Sequence, residues 1–338
     1  MSIVKVAALA GVSKSTVSMV INNNPTVVPE TASKVRLAMQ ELGYTPRPRE
    51  QRGGPKPNFM YPGRVLNLVL VTIGIPREVF CSPLYTNVIH GILCGASDKN
   101  HRLEIHHIFN PADFNAESIF RSGADGFLLF GRGESAAAAK AFRDYPCVSL
   151  MGSDKVRDGC DWISYDDVAA GQLAADYLFQ QGHRECAFIG DATWRRGQAY
   201  AERLKALGVT VRNLDAAGVV RADSDSHDVD QRAVDDLVSR LKALTPRPTG
   251  LFVWQDMVTA ALYPALYNQS LIPGRDITVV TCNNEWPYLL GLRPRPAVID
   301  IQGAKIGSRA VDQLLWRMQH RREPTGTVLL TPELVLSK

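Results

Sequence analysis

The sequence has no run of about 18 apolar residues, the minimum length for a membrane-spanning helix. We also expect no secretory leader, because the first residues already carry a helical pattern. Six cysteines are scattered without a C-x-x-C pair, which argues against a zinc site or a disulfide framework; they are Cys81, Cys94, Cys147, Cys160, Cys186 and Cys282. These absences predict a cytoplasmic protein with reduced, mostly buried thiols, and exclude a membrane or secreted protein.

Motifs of catalysis are missing as well. The sequence contains no Gly-x-Ser-x-Gly, no His-Glu-x-x-His and no phosphate-binding glycine loop. His106 and His107 are adjacent in a predicted strand, so they point to opposite faces and cannot bind one metal together. We therefore expect neither an enzyme nor a resident metal or cofactor.

Positive charge is concentrated at the N-terminus. Residues 1–64 contain nine Lys or Arg and three Glu, a net charge of +6, whereas the other 29 basic and 31 acidic residues give −2. This asymmetry places a polyanion-binding region in the first 64 residues only.

Residues 3–22 predict two short helices joined by a tight turn. Val6, Leu9 and Ala10 recur at helical spacing, and Gly11 can end the first helix in the left-handed conformation. Ser13 is placed to cap the second helix, whose Val17, Val20 and Ile21 point inward while Lys14, Ser15, Thr16 and Met19 face out. This is a helix-turn-helix suited to the DNA major groove; the alternative is a surface helical hairpin with solvated polar residues.

The motif continues through residue 46 without a gap, and it resembles the N-terminal domain of the lactose and purine repressor (LacI/GalR) family. The matching residues are Val6-Ala7, Gly11-Val12-Ser13, Thr16-Val17-Ser18, Val20-Ile21-Asn22, Glu30-Thr31, Val35, Ala38-Met39, Glu41-Leu42-Gly43-Tyr44 and Pro46. The resemblance implies that Lys14, Ser15, Thr16 and Met19 face the bases. It implies phosphate contacts for Ser13, Asn22, Thr26 and Thr31.

A linker is predicted at residues 46–64, after a DNA-binding domain at residues 1–45. Residues 45–64 contain five prolines, three glycines and five Lys or Arg, a composition that cannot bury a core. Relatives place a leucine wedge here, but Gly53 stands in its position, so we expect a basic tether in place of a stable hinge helix. Arg47, Arg49 and Arg52 can still enter a narrow minor groove.

From Val65 onward, short apolar strands alternate with helical segments, which predicts α/β architecture with parallel sheets covered on both faces. The resemblance implies two doubly wound lobes of periplasmic-binding-protein type in residues 65–338. Lobe one is expected at about residues 65–162 plus 296–325, and lobe two at about 163–293 plus the C-terminal strands. The chain should cross near 162–164, 293–298 and 324.

The resemblance also implies an effector cleft between the lobes, at the carboxyl ends of the strands. Arg196 in Arg-Gly-Gln-Ala-Tyr matches the family's effector-binding arginine, although adjacent Arg195 leaves the register open by one. Asp166 either faces the cleft or braces the crossover, and Asn283-Asn284 replaces the usual acidic pair. Further wall residues are predicted at Ile73, Tyr85, Trp194, Gln255 and Asp256, while Trp254 either stacks on a ring or packs in the core.

Three classes of function fit two lobes: a ligand-responsive regulator, a plain solute-binding protein, and an enzyme. The basic headpiece opposes the second, and the missing catalytic sets oppose the third. We therefore predict a transcriptional regulator that binds a palindromic operator as a homodimer, with repression as the family default. Its effector is expected to be a carbohydrate or derivative. The chain ends at Leu334-Val-Leu-Ser-Lys338 without a leucine heptad, which favours a dimer over a tetramer.

Overall fold

In the computed structural model the chain divides into two compact units, residues 1–56 and 57–338. The structure describes residues 3–21, 27–44, 64–121, 123–131, 141–151, 159–223 and 226–336. Within these residues no helix is both long and apolar enough to cross a membrane.

The N-terminal unit contains three helices around a small core, α1 (Ile3–Ala10), α2 (Lys14–Ile21) and α3 (Pro29–Glu41). Gly11 joins α1 to α2 at a φ of 64°, the left-handed turn that its sequence position predicts. The fully buried core residues are contributed by all three helices: Val6, Ala7, Val17, Val20, Val35 and Ala38. The predicted helix-turn-helix is confirmed, but Leu9 is wrong as a core residue because its side chain is 46% exposed.

The second unit begins its regular structure at Asn67. Its first half contains β1 (Asn67–Ile73), α4 (Arg77–Phe80), α5 (Pro83–Ser97), β2 (Arg102–Ile108), α6 (Ala116–Phe120), β3 (Gly126–Gly131), β4 (Cys147–Leu150) and β5 (Asp161–Tyr165). Next come α7 (Asp167–Gln180), β6 (Glu185–Ile189), α8 (Arg195–Ala206), β7 (Thr210–Leu214), β8 (Val220–Asp223), β9 (Ser226–Val229), α9 (Gln231–Ala243), β10 (Gly250–Val253), α10 (Asp256–Asn268), β11 (Thr278–Cys282), α11 (Trp286–Leu289) and β12 (Ala297–Asp300). The last elements are α12 (Gly303–Gln319), β13 (Thr327–Leu330) and β14 (Glu333–Val335).

These strands form two six-stranded sheets and one hairpin, β8–β9. The first sheet has the order β13-β5-β4-β3-β1-β2 and is parallel throughout. The second has the order β14-β12-β11-β10-β6-β7 and is parallel except for β14. Each sheet supplies one lobe, as the alternating pattern predicts, and the inner strands are apolar on both faces because helices cover both.

The chain crosses between the lobes later than expected at each of the three points. Strand β5 lies wholly in the first sheet, so the first crossover follows Tyr165. Strand β12 lies in the second sheet and β13 in the first, which puts the other crossovers after Asp300 and after Leu330. A strand buried on both faces has the same apolar sequence pattern in either sheet. The pattern therefore does not indicate which lobe the strand joins.

Glycines allow two pairs of helices to approach closely. A Cβ on Gly91 of α5 would lie 2.0 Å from the Ala304 carbonyl oxygen of α12, and one on Gly171 of α7 would lie 2.1 Å from the Arg196 carbonyl oxygen of α8. The Gly171 contact sets the position of α8, and with it the position of the Arg196 side chain.

The prediction of six free thiols is wrong for one pair. Cys147 and Cys160 form a disulfide with a Cα–Cα distance of 5.0 Å, whereas Cys81, Cys94, Cys186 and Cys282 are free. Cys147 opens β4 and Cys160 directly precedes β5, and these strands are paired neighbours with Val148 opposite Asp161. The pairing of the strands brings the two sulfurs together, and 13 residues of separation along the chain gave no sign of it.

Candidate functional site

The candidate DNA-reading surface lies on α2. Ser13 precedes this helix, and its Oγ accepts a hydrogen bond from the Thr16 backbone N–H at 3.1 Å, so the predicted cap is confirmed. The Thr16 hydroxyl lies 2.9 Å from the same Ser13 oxygen. Lys14 and Met19 are exposed, the latter by 42%, while Val17 is fully buried and holds α2 against the core. Ser15 also lies in α2.

Other residues predicted to bind DNA are placed less completely. Thr31 is half-buried in the first turn of α3, near an exposed pair in which Lys34 Nζ lies 2.9 Å from Glu30 Oε1. Asn22, Thr26, Arg47, Arg49 and Arg52 lie outside the described residues. Their roles, like those of the α2 side chains, stay predictions.

The two lobes of the second unit meet where the carboxyl ends of their strands face one another. Leu84, Met151 and Tyr165 each pack against the apolar cores of both lobes. We call the residues gathered here the interlobe site, and they are Tyr85, Tyr165, Trp194, Arg196, Trp254, Asn283 and Glu285. Open parallel sheets bind ligands at this edge.

Arg196 is the most extensively bonded of these residues, and its side chain is only 9% exposed. Its Nε donates to Asp167 Oδ1 at 2.7 Å, its Nη1 to the Trp254 carbonyl oxygen at 3.0 Å, and its Nη2 to the Tyr165 hydroxyl. These bonds use three of the five guanidinium N–H groups. Although burial opposes the charged form, the neighbouring Tyr165, Cys282 and Asp167 raise the pKa of Arg196 above its ordinary value, so it stays charged.

A second buried network joins α10, β11 and the loop that follows β11. Asp256 is fully buried, and it accepts from the Thr281 hydroxyl at 2.7 Å and from the Glu285 backbone N–H at 2.5 Å. Burial raises the pKa of Asp256 to about 8. Asp256 therefore fixes the loop that carries Glu285, and it lies too deep to line the site as predicted.

Glu285 connects this network to the other lobe. Its Oε1 accepts from the Leu84 backbone N–H of α5 at 3.2 Å, and its Oε2 accepts from Asn283 Nδ2 at 3.1 Å. The side chain is 4% exposed, and burial raises the pKa of its carboxyl group. Sequence analysis did not single out Glu285, although it directly follows the Asn283-Asn284 pair.

Asn283 and Asn284 themselves adopt left-handed backbone conformations, with φ of 111° and 63°. Asparagine tolerates this region better than most residues, and the strain is held by bonds from Asn283 N to the Ile299 carbonyl oxygen and from Asn284 Nδ2 to Asp300 Oδ2. The turn aims the Asn283 side chain at Glu285 and not at a neighbouring helix.

Aromatic rings surround the polar groups. Tyr85 stacks on Phe130 with ring centroids 4.6 Å apart in the first lobe. In the second, Trp194 meets Trp254 edge to face at 6.0 Å. Trp194 is 41% exposed and available for stacking, whereas Trp254 is 8% exposed and belongs to the core.

Two residues predicted near the cleft have structural positions instead. Ile73 is 3% exposed in the core cluster on one side of the first sheet, with Phe127 and Phe142. Asp166 caps α7, its Oδ1 accepting from Ala169 N at 3.0 Å, which favours the bracing alternative over a cleft-facing role. Gln255 is half-buried before α10, its backbone carbonyl oxygen accepts from Thr259, and the role of its side chain stays a prediction.

The site holds no set of groups for covalent chemistry in the part of the chain that the structure describes. Burial raises the pKa of the Cys282 thiol to about 12 and that of Cys186 to about 11, so both are protonated near neutral pH. No cluster of three His, Cys, Asp or Glu side chains arranged for a metal ion occurs among the described residues.

Comparison with known proteins assigns both units. A sequence model described as bacterial regulatory proteins of the lacI family matches residues 2–47, and one for a periplasmic binding protein-like domain matches residues 175–337. The chain therefore carries a lacI-family DNA-binding domain and a periplasmic-binding-protein-like domain. It is 25% identical over 342 residues to the ribose operon repressor of Escherichia coli (strain K12), covering 98% of this chain and 97% of the repressor. It is 24% identical to the HTH-type transcriptional repressor PurR of Mannheimia succiniciproducens, covering 98% and 96%.

Solved structures agree with the fold. The chain superposes on the transcriptional regulator CelR–cellobiose complex with a TM-score of 0.63, 21% identity, and 99% and 98% of the two chains covered. It superposes on the Lac repressor dimer bound to operator and the anti-inducer ONPF with a TM-score of 0.63, 19% identity and the same coverage. The protein is therefore a DNA-binding transcriptional regulator with a two-lobed ligand-binding core.

Proposed function

We propose that this protein is a repressor whose affinity for a palindromic operator is controlled by a carbohydrate or a related ring compound held in the interlobe site. The observation that carries the proposal is the Arg196 guanidinium, which bonds to Tyr165 of one lobe and to Asp167 and Trp254 of the other. A ligand that changes these bonds changes how the lobes are set.

The chemistry of the site supports a ring with hydroxyl groups. Tyr85 and Trp194 provide faces on which a ring can stack, and Asn283 and Glu285 provide acceptors. Similar proteins point the same way, since one is a ribose operon repressor and one structural neighbour is a cellobiose complex.

Exposed apolar side chains on the surface of the second unit favour contact with a second copy of the chain. Leu93 on α5 is 52% exposed and Ile105 on the edge strand β2 is 45% exposed; in the other lobe Trp286 and Leu290 are 50% and 53% exposed. Exposed apolar side chains are typical of an interface where they form one contiguous patch. A symmetric dimer supplies the two headpieces that a palindromic operator requires. We place this complex in the cytoplasm.

A gel-shift assay with genomic fragments, including the protein's own promoter, tests operator binding directly. Lys14→Ala should weaken specific binding by about 1–3 kcal/mol per lost base contact, because Lys14 begins the reading helix. Lys34→Ala is the matched control, since it removes the same charge from α3. We expect both variants to lose similar non-specific affinity, and only Lys14→Ala to lower the ratio of specific to non-specific binding.

Equal ratios in the two variants would remove Lys14 from the reading surface. The proposed function is refuted if the wild type binds no fragment specifically and is a monomer in sedimentation experiments. A sugar panel added to the same assay then identifies ligands that release or strengthen the complex.

A further inference from the structure

The interlobe site contains two features that would attract an anionic ligand. One is the Arg196 guanidinium, and the other is the N-terminus of α5, a 15-residue helix whose first N–H groups carry partial positive charge. Effector sites that hold phosphate or carboxylate groups would use such features.

Both features are already matched to carboxylates of the protein. Asp167 accepts from the Arg196 Nε at 2.7 Å and from its backbone N–H at 3.2 Å, so the pair is neutral. At α5, Ser82 makes no capping hydrogen bond through its side chain, and Pro83 has no N–H to offer. Glu285 from the opposite lobe caps the first available N–H, that of Leu84.

Glu285 is itself left without a cationic partner among the described residues. Its two hydrogen bonds come from the neutral groups Leu84 N–H and Asn283 Nδ2. The other ionisable groups that face it are Asp256, which accepts from its backbone N–H, and Tyr288, whose pKa it helps to raise. The Glu285 carboxyl group therefore has no cation beside it among these groups, and it has acceptor positions left for donors.

We propose that Glu285 makes the interlobe site selective for uncharged ligands, an unphosphorylated sugar in particular, and excludes those that carry a phosphate or carboxylate. The proposal rests on the proposed function, because it concerns the charge of that same effector. Glu285 and Leu84 belong to different lobes, so their bond breaks when the lobes separate, and the carboxylate then accepts from ligand hydroxyls. An anion entering there would lie beside the Glu285 carboxylate, while Arg196 and the N-terminus of α5 are already bonded to carboxylates of the protein.

The test uses the full chain and matched pairs of probes, ribose with ribose 5-phosphate and glucose with glucose 6-phosphate, in calorimetry and thermal unfolding. In the wild type we expect the uncharged member to bind at least tenfold more tightly. Glu285→Gln keeps the side-chain shape and removes the charge, so the preference should fall at least tenfold. Glu333→Gln, which removes an exposed carboxylate on β14, is the control and should leave the preference unchanged.

Tighter or equal binding of the phosphorylated member by the wild type would overturn charge selection while leaving the regulator function intact. This comparison uses only the wild type, so it does not depend on how well the variants fold. Operator binding checks the folding of the variants separately. An unchanged preference in Glu285→Gln would also overturn the role of Glu285. If neither the uncharged nor the phosphorylated sugars bind, the carbohydrate assignment under the proposed function fails, and this inference fails with it.

Discussion

The Arg196–Asp167 pair offers the sharpest test of how the interlobe site is built. Arg196→Met removes a guanidinium that is 9% exposed and leaves the Asp167 carboxylate, 26% exposed, without its charged partner. Removing one member of a buried ion pair costs about 3–5 kcal/mol. Because Asp167 is partly exposed, we expect the free energy of unfolding to fall by about 3 kcal/mol, near the lower end of this range.

A double-mutant cycle separates the pair from the packing around it. Asp167→Asn alone leaves Arg196 charged and buried with two neutral acceptors, so it should also destabilise the core. In Arg196→Met/Asp167→Asn no charge is left alone, and we expect the double variant to be more stable than the sum of the single effects by about 1–3 kcal/mol. Urea unfolding followed by tryptophan fluorescence measures this, since Trp194 and Trp254 lie beside the pair.

The same two helices provide a control. Arg203 of α8 bonds to Asp176 of α7 at 2.7 Å, but these side chains are 44% and 34% exposed. Arg203→Met and Asp176→Asn should hardly change the unfolding midpoint, because exposed pairs contribute little. The reasoning is refuted if the Arg196 and Asp167 variants are additive, or if they destabilise the protein no more than the Arg203 and Asp176 variants do.

Three further predictions follow from the site and the linker. Gly171→Ala should lower the unfolding temperature and weaken the response to effector, because its Cβ would lie 2.1 Å from the Arg196 carbonyl oxygen and α8 would have to move by about 1.4 Å or more to reach ordinary contact distance. Gly291→Ala, with no atom within 4 Å, should do neither, and equal effects would contradict this. Asp256 has a pKa of about 8 in the folded protein and about 3.9 in the unfolded chain, so its contribution to stability is present below pH 4 and is lost as the pH rises to about 8. Asp256→Asn should therefore show a flatter dependence of the urea midpoint on pH over that window, and an unchanged slope would count against the assignment. From its sequence, the linker has Gly53 in place of a leucine wedge, and a circular-permutation assay should show an operator bend below about 40°; a sharper kink would mean that another residue supplies the wedge.

Features with a local cause were predictable from the sequence. The helix-turn-helix follows from Gly11, Ser13 and the apolar spacing of Val6, Val17 and Val20, each of which acts within a few residues. The α/β alternation follows in the same way, because buried strands and covering helices differ in length and pattern. Helix α12 could have been found too, since Ile306, Ala310, Leu314 and Met318 recur at helical spacing and all are buried.

Features that depend on long-range pairing were not predictable. The disulfide requires that β4 and β5 be neighbours in register, and the positions of the crossovers depend on which sheet β5, β12 and β13 join. The role of Glu285 depends on its hydrogen bond from Leu84, which lies 201 positions away along the chain. No local pattern carries that information, whereas Arg196 was found because its own neighbours match a family segment.

The position of Arg196 relative to the first crossover explains why a ligand here can control the arrangement of the lobes. Tyr165 is the last residue of β5 in one lobe, and Asp167 is the first residue of α7 in the other, so only Asp166 separates them. One planar guanidinium bonds to both side chains, and it can do so only over a narrow range of backbone angles at Asp166. Arg196 therefore restrains the connection between the lobes directly. A ligand that competes for its remaining N–H groups acts on that connection without needing a longer path through the core.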